Sequence, residues 1–447
     1  MRRVLRSLTM ADVPLTHARV LRIALPIVLS NATVPLLGAV DTGVVGQLGL
    51  AAPIGAVGLG AVVLASVYWI FGFLRMGTSG LAAQARGAGE VAEGGAILLR
   101  SLMIGAAAGM VLVVLQGPLI WLAFRIAPAS AEVEDLTRTY LAIRIWGAPA
   151  TICMYAVTGW LIAQERTRAV LVVQLGINLM NIGLDLLFVL RLGWGVPGVA
   201  VASLLAEWTG LTAGLWFCRA VFARGAWRNW AQLLEGARLR RMLLVNSDIM
   251  IRSVVLQFSF TAFVFLGAGF GTLTLAANQV LLQFLQFTAF GLDGFAFAAE
   301  ALVGLAIGAG SVGVVRRSAV MTSQWGVGGA VTLALVFWIW GPGLIDLLTN
   351  APDVRLAARA YLPWVMVAPV IGIASWMLDG IFIGATQTRD MRNAMLQSVL
   401  IYLGALWVLT PWLGNHGLWA ALMVLNATRA ITLARLYPRI EARAGLA

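Results

Sequence analysis

Ala169 to Leu190 reads AVLVVQLGINLMNIGLDLLFVL, 22 residues with no proline and one formal charge, Asp185. At about 1.5 Å per residue such a helix is roughly 33 Å long, enough to cross a hydrocarbon core of about 30 Å. The same pattern recurs outward in both directions. Apolar runs separated by polar punctuation stand at about 20–48, 52–83, 95–124, 138–163, 169–190, 196–222, 249–270, 275–309, 318–341, 361–386, 394–412 and 416–437, which makes twelve expected spans. The first follows a basic segment (Arg2, Arg3, Arg6, Arg19, Arg22) as a signal peptide would. It is nevertheless long, contains Pro26 and Pro35 and shows no small-residue cleavage site, so it reads as a span.

Of the 447 residues 60% are hydrophobic and 11% charged, against roughly 45–50% and about 25% in soluble domains. Too few polar residues remain to cover a globule, so a water-soluble fold is excluded and an all-α polytopic membrane protein is expected, with the lipid bilayer as its surroundings. All 31 basic residues are arginine, set against 19 acidic ones for a net charge of +12. In a soluble chain that surplus suggests nucleic acid. Here the arginines gather in alternate connections: Arg86; Arg166 and Arg168; Arg224, Arg228, Arg238, Arg240 and Arg241; Arg316 and Arg317; Arg389 and Arg392; and the tail Arg435, Arg439 and Arg443. That is the positive-inside pattern, so both termini are assigned to the cytoplasm of a multi-pass cytoplasmic (inner) membrane protein, and no nucleic-acid partner is expected.

Chemistry by the chain itself finds little support. Cys153 and Cys218 lie in apolar runs, His17 is terminal and His416 sits in an outer turn, which leaves no disulfide framework, metal cluster or histidine-based triad. The phosphate loop GxxxxGK(S/T) is impossible without lysine. No enzyme and no cofactor is expected.

The chain repeats. Arg138-Thr-Tyr140-Leu141 matches Arg359-Ala-Tyr361-Leu362, Gly159 matches Gly380, and Thr167-Arg168 matches Thr388-Arg389, all at an offset of 221. The same offset aligns Leu81–Gly89 (LAAQARGAG) with Leu302–Gly310 (LVGLAIGAG). This divides the chain into an N-lobe of six spans (1–222), a basic cytoplasmic linker (223–245) and a C-lobe of six spans (246–447). Duplicated bundles of this kind place a substrate path between their halves and work by rocking. Transport is the leading expectation; a passive scaffold would not need ionisable residues in mid-membrane.

Six acids fall inside expected spans: Asp41, Asp185, Glu207, Asp293, Glu300 and Asp379. Each costs at least about 2.5 kcal/mol at the bilayer centre on insertion scales, so each requires a protein or water environment. Counted from span ends, Asp41, Asp185 and Ser203 share one level in the outer half of the membrane. Asn181 lies four residues before Asp185, on the same helix face. Two carboxylates, an amide and a hydroxyl at one depth make a candidate proton or cation site. Glu207 is a secondary candidate, structural or ion-linked. Asp293 and Glu300 share a face of the eighth span, and Glu300 is a candidate partner for Arg75, Arg252 or Arg317. Asp379 aligns with Thr158 at the repeat offset, so the halves differ chemically. Met154, Tyr155, Trp160, Phe260, Phe284, Phe287, Phe290 and Trp376, with Gln283 and Gln286, are candidates for an adaptable cavity wall. Pro26, Pro35 and Gly38 are candidate bend points in the first span.

Several stretches resemble the multidrug and toxic compound extrusion (MATE) family, in particular its DinF-like branch: Leu25–Gly46 (LPIVLSNATVPLLGAVDTGVVG), Phe73–Ala85 (FLRMGTSGLAAQA), Asn246–Arg252 (NSDIMIR), Leu292–Gly304 (LDGFAFAAEALVG) and Leu378–Thr388 (LDGIFIGATQT). The resemblance implies twelve helices in two six-helix lobes around a central cavity, and a monomer that exports small organic cations by ion-coupled antiport. It also implies that Asp41, Asn181, Asp185 and Ser203 form the ion site. Asp379 matches an acid linked to cation binding in the sodium-coupled branch. A glutamate of that branch has no counterpart, Asn278 and Gln279 standing instead. Protons are therefore the expected coupling ion, with sodium at Asp41, Asn181 and Asp185 the alternative. A lipid or lipid-linked flippase with the same two lobes is the rival function.

Overall fold

The structure is a computed structural model, and it describes residues 14–47, 49–127 and 129–445. Arg2, Arg3 and Arg6 lie outside these residues, as does the side chain of Pro35. Among the described residues seventeen α-helices follow one another: α1 (His17–Gly46), α2 (Ala51–Ile70), α3 (Phe73–Gly87), α4 (Val91–Val114), α5 (Gln116–Ile126), α6 (Ala131–Arg144), α7 (Ala148–Ala163), α8 (Thr167–Asp185), α9 (Gly195–Phe217), α10 (Arg219–Ala223), α11 (Trp230–Leu233), α12 (Gly236–Ala268), α13 (Thr272–Gly308), α14 (Val312–Leu348), α15 (Pro352–Gly384), α16 (Thr388–Leu413) and α17 (Asn415–Ala444). No strand occurs among the described residues. Among the described residues eleven helical segments, from Ala51–Gly87 to Asn415–Ala444, are long and apolar enough to cross a membrane. Where the first span was expected, α1 adds 30 residues.

Several helices outrun the expected spans. α13 and α14 each hold 37 residues, about 55 Å at the standard rise. Hydropathy marks only the lipid-facing portion, whereas the backbone ladder continues as long as nothing breaks it. The expected spans at 52–83 and 95–124 are not single helices: the chain breaks at Phe71–Gly72 between α2 and α3, and at Leu115 between α4 and α5. Arg100, inside the second of these, is 3% exposed. Its guanidinium donates to Glu93 (2.6 Å) and to the carbonyls of Gln232 (2.5 Å) and Leu233 (2.9 Å), which ties α11 to α4.

The 221-residue repeat is built into the backbone. Adding 221 to Ala51 and Gly87 gives Thr272 and Gly308, the bounds of α13; adding it to Ala131 and Ala163 gives Pro352 and Gly384, the bounds of α15; Thr167 maps onto Thr388, where α16 starts. Among the described residues the two non-glycine residues with left-handed backbone, Glu165 (φ 56°) and Thr386 (φ 51°), are also 221 apart. Each closes its helix in the same way. Glu165 N donates to Ile162 O and Arg166 N to Leu161 O, as Thr386 N does to Ile383 O and Gln387 N to Phe382 O. Such a conformation costs about 1–2 kcal/mol for a side chain with Cβ, yet both copies keep it.

The chain divides into two compact units. One comprises residues up to Val28, Ala83–Glu90 and Leu243 onward; the other comprises Leu29–Ala82 and Val91–Met242. The core of the first gathers Phe263, Phe284, Phe337, Tyr402, Leu418 and Trp419. Phe263 meets Trp419 edge-on at 4.9 Å and Phe284 meets Phe337 at 5.1 Å. In the second unit helices approach through small residues. A Cβ at Gly159 on α7 would lie 2.2 Å from the carbonyl oxygen of Arg75 on α3; its repeat partner Gly380 on α15 stands likewise 2.4 Å from that of Ala296 on α13, within the first unit. Arg75 and Ala296 are again 221 apart. Both helix crossings therefore depend on glycine for backbone contact.

Candidate functional site

α8 carries Asn181 and Asp185 one turn apart on one face, α1 brings Asp41, and α9 brings Ser203. These four sequence candidates meet. Two carboxylates facing one amide decide its orientation. Asn181 Nδ2 donates to Asp41 Oδ1 (2.9 Å) and to Asp185 Oδ2 (3.1 Å), and its Oδ1 accepts from Ser203 Oγ (2.9 Å). Both N–H bonds of the amide are used. Asn181 and Asp185 are 0% exposed, Ser203 5% and Asp41 9%. Two buried carboxylates this close repel each other and resist joint ionisation, so the group is suited to taking up a proton or a small cation between them. The oxygens offered are hard ligands. Among the described residues no group of three or more His, Cys, Asp and Glu could hold a metal ion.

The backbone around this group is irregular. Directly after Asp185 the helix widens into a π turn over Leu186–Arg191, with Leu192 N reaching Leu187 O at 3.0 Å. Single π turns occur often at functional positions. In the repeat, α16 stays α-helical as far as Leu413. At the repeat offset Asp41, Asn181, Asp185 and Ser203 become Ala262, Tyr402, Leu406 and Val424. Tyr402 simply donates to the carbonyl of Ser259 (3.2 Å) inside the core. One half carries the carboxylate pair and the other fills that place with apolar packing.

The remaining acids go elsewhere. Glu207 on α9 pairs with Arg144 at the end of α6, at 2.8 Å. A Cβ at Gly147 would lie 2.0 Å from Glu207 Oε2, so the tight turn Ile145–Gly147 leaves room for that carboxylate. Asp379 on α15 is held by two arginines: its Oδ2 accepts from Arg252 Nη1 on α12 (2.8 Å) and Arg429 Nη2 on α17 (2.6 Å). Arg429 lies inside the twelfth expected span and received no role there; an arginine in an apolar run demands a carboxylate, and that demand was the available signal. Arg252, one of the candidate partners for Glu300, donates to Asp379. On α13 Glu300 is buried and Asp293 half-buried, neither belonging to the Asp41 group.

Among the cavity candidates, Met154 and Tyr155 are half-buried on α7, Trp376 is half-buried on α15, and Gln283, Gln286 and Phe287 are exposed on α13. Trp160 and Phe284 are corrected. Trp160 is 8% exposed, with Nε1 donating to Gly94 O (2.9 Å), and Phe284 is 2% exposed in the core, so both are packing residues. α1 runs helically through Pro26, whose side chain is buried, and through Pro35 to Gly46.

With this geometry in place, the MatE family model matches residues 26–187 and 249–408. The chain belongs to the MatE family. The two matched stretches begin 223 residues apart, one in each repeat. Over 440 residues the chain is 38% identical to DNA damage-inducible protein F of Escherichia coli strain K12, covering 97% of this chain and 93% of that protein. It is 26% identical to a probable multidrug resistance protein NorM of Rhizobium meliloti strain 1021, covering 94% and 92% of the two chains. The crystal structure of MATE in the bent conformation superposes with a TM-score of 0.85 at 18% identity over 95% of each chain, which shows a common fold. The chain is therefore a multi-pass membrane transporter of the MatE family.

Proposed function

We propose that this MatE protein exports lipophilic organic cations in exchange for protons, and that Asp41, Asn181, Asp185 and Ser203 are the coupling site. The observation that carries the proposal is the single amide nitrogen shared by two buried carboxylates. When Asp41 or Asp185 takes up a proton, its O–H becomes a donor and the neighbouring carboxylate can accept from it directly. Protonation removes charge from the acceptors of Asn181 Nδ2, so these bonds weaken and the tie from α8 to α1 loosens. A cation bound nearby favours the ionised pair, so cation and proton exclude one another. Met154 and Tyr155 on α7 supply thioether and aromatic contacts to the cation in the same unit. The name NorM of the Rhizobium relative supports a multidrug substrate range. The protein acts as a monomer in the cytoplasmic membrane with both termini inside, as its arginine distribution supports, so the site takes its protons from the outer side.

Purified protein in vesicles with an imposed pH gradient and a fluorescent lipophilic cation provides the test. Exchange should follow the pH gradient, ignore an equal sodium gradient, and be lost in D41N and D185N variants that remain monodisperse. Exchange indifferent to pH, or pH dependence unchanged in D41N, overturns the proposal. Movement of a labelled anionic lipid in place of the cation would substitute the flippase reading.

A further inference from the structure

A groove of about 680 Å³ runs along α14, α15 and α17, in the unit that does not contain the carboxylate pair. Its floor is Leu378 and Ile381 of α15, one wall is Arg316, Ala319, Val320, Ser323, Gln324 and Val327 of α14, and the other is Tyr437 and Glu441 of α17. Its mouth lies where α14 begins and α17 ends. There Arg316 Nε donates to Glu441 Oε1 (2.9 Å) and Nη2 to Oε2 (2.5 Å). Val327 is eleven residues beyond Arg316, about 16 Å along the helix, which matches the roughly 15 Å depth of one leaflet. The wall is apolar at depth, with Val320 53% and Val327 47% exposed on α14, a helix long and apolar enough to cross a membrane.

We infer that this groove is a binding site for one zwitterionic aminophospholipid from the leaflet at the Arg316 end. Complementarity of charge selects it. An arginine has five N–H donors and the Glu441 contacts occupy two, so the others are available for the lipid phosphate. Glu441 accepts from Arg316 on both oxygens and from the Tyr437 hydroxyl as well, which leaves one lone pair for the ammonium group beside that phosphate. The ion pair thus offers plus and minus side by side, matching phosphate and ammonium on one headgroup. Ser323 and Gln324 lie two turns deeper for the glycerol esters, and an acyl chain runs along Val320, Val327, Leu378 and Ile381. A trimethylated headgroup lacks the N–H donors, and an anionic glycerol headgroup places no cation against Glu441.

The full chain, purified from membranes in detergent and exposed to vesicles of phosphatidylethanolamine, phosphatidylcholine or phosphatidylglycerol, tests this by native mass spectrometry. One phosphatidylethanolamine per chain should be retained ahead of the other two. R316Q, which removes the charge-assisted contact, and V327W, which fills the groove, should each lower retention about tenfold. L400W, at an exposed position of α16 outside the groove, should leave it unchanged. Equal retention of the three lipids, or undiminished retention in both R316Q and V327W, overturns the inference. Because neither altered residue touches Asp41 or Asp185, pH-driven exchange can fail while the lipid site stands, and the reverse.

Discussion

Asn181 holds two carboxylates with one nitrogen, and its removal strands both. N181L should lower stability by about 1–3 kcal/mol, the cost of burying acceptors without a donor, read as thermal unfolding in detergent. The deficit should shrink as pH falls, because a protonated carboxyl no longer needs the amide and supplies a donor of its own. A deficit constant between about pH 5 and pH 8 would contradict that account. The Arg144–Glu207 pair follows a different rule. R144M alone leaves a buried carboxylate without its cation and should cost about 3–5 kcal/mol, whereas R144M/E207L should recover most of that. A double-mutant cycle on unfolding measures the difference. At this scale the sequence was informative about Asp41, Asn181, Asp185 and Ser203, because an acid in an apolar run is conspicuous and its depth can be counted. It was silent about which atoms share the amide, since side-chain direction depends on how each helix is rotated. Arg429, in the middle of α17, went without a role because the carboxylate it meets, Asp379, lies on another helix.

Elements are joined through glycine at matched crossings. G159A and G380A each drive a methyl group into a carbonyl oxygen of the facing helix, at 2.2 Å and 2.4 Å, and each should cost about 1–3 kcal/mol in thermal unfolding. G176A on α8, where nothing lies within 4 Å, should be neutral or slightly stabilising because alanine favours helix. If all three behave alike, the crossings do not depend on backbone approach. Hydropathy located these elements well but misread their continuity. The run 95–124 averages as apolar despite Arg100, yet α4 ends at Val114 and α5 begins at Gln116, where Gln116, Gly117 and Pro118 mark a break that mean hydropathy passes over. Trp160 and Phe284 were misplaced for a related reason: aromatic residues in a membrane helix face a partner helix, lipid or a cavity with the same residue identity.

For the whole molecule, the repeat supplies one backbone plan and two chemistries. The carboxylate pair occupies one half, where the π turn after Asp185 and the tight turn at Ile145–Gly147 interrupt helices that are continuous in the other. The other half keeps Asp379 between Arg252 and Arg429. D379N should therefore reduce thermal stability, because two buried arginines lose their carboxylate, while the exchange that remains keeps its pH dependence. Vesicle assays of D379N beside D41N measure this, and loss of pH dependence in D379N would relocate the coupling.

Membrane class, the number of spans, the 221-residue duplication and the family were all legible in the chain of residues. Those properties are written along one dimension: hydropathy, charge asymmetry and offset need no knowledge of neighbours. The tertiary structure alone decided that Asp41 reaches across to α8, that Arg252 and Arg429 converge on Asp379, and that α14, α15 and α17 leave a groove between them. Those meetings depend on helix rotation and tilt, which are set by the close packing of glycine against backbone and of aromatic side chains in the core.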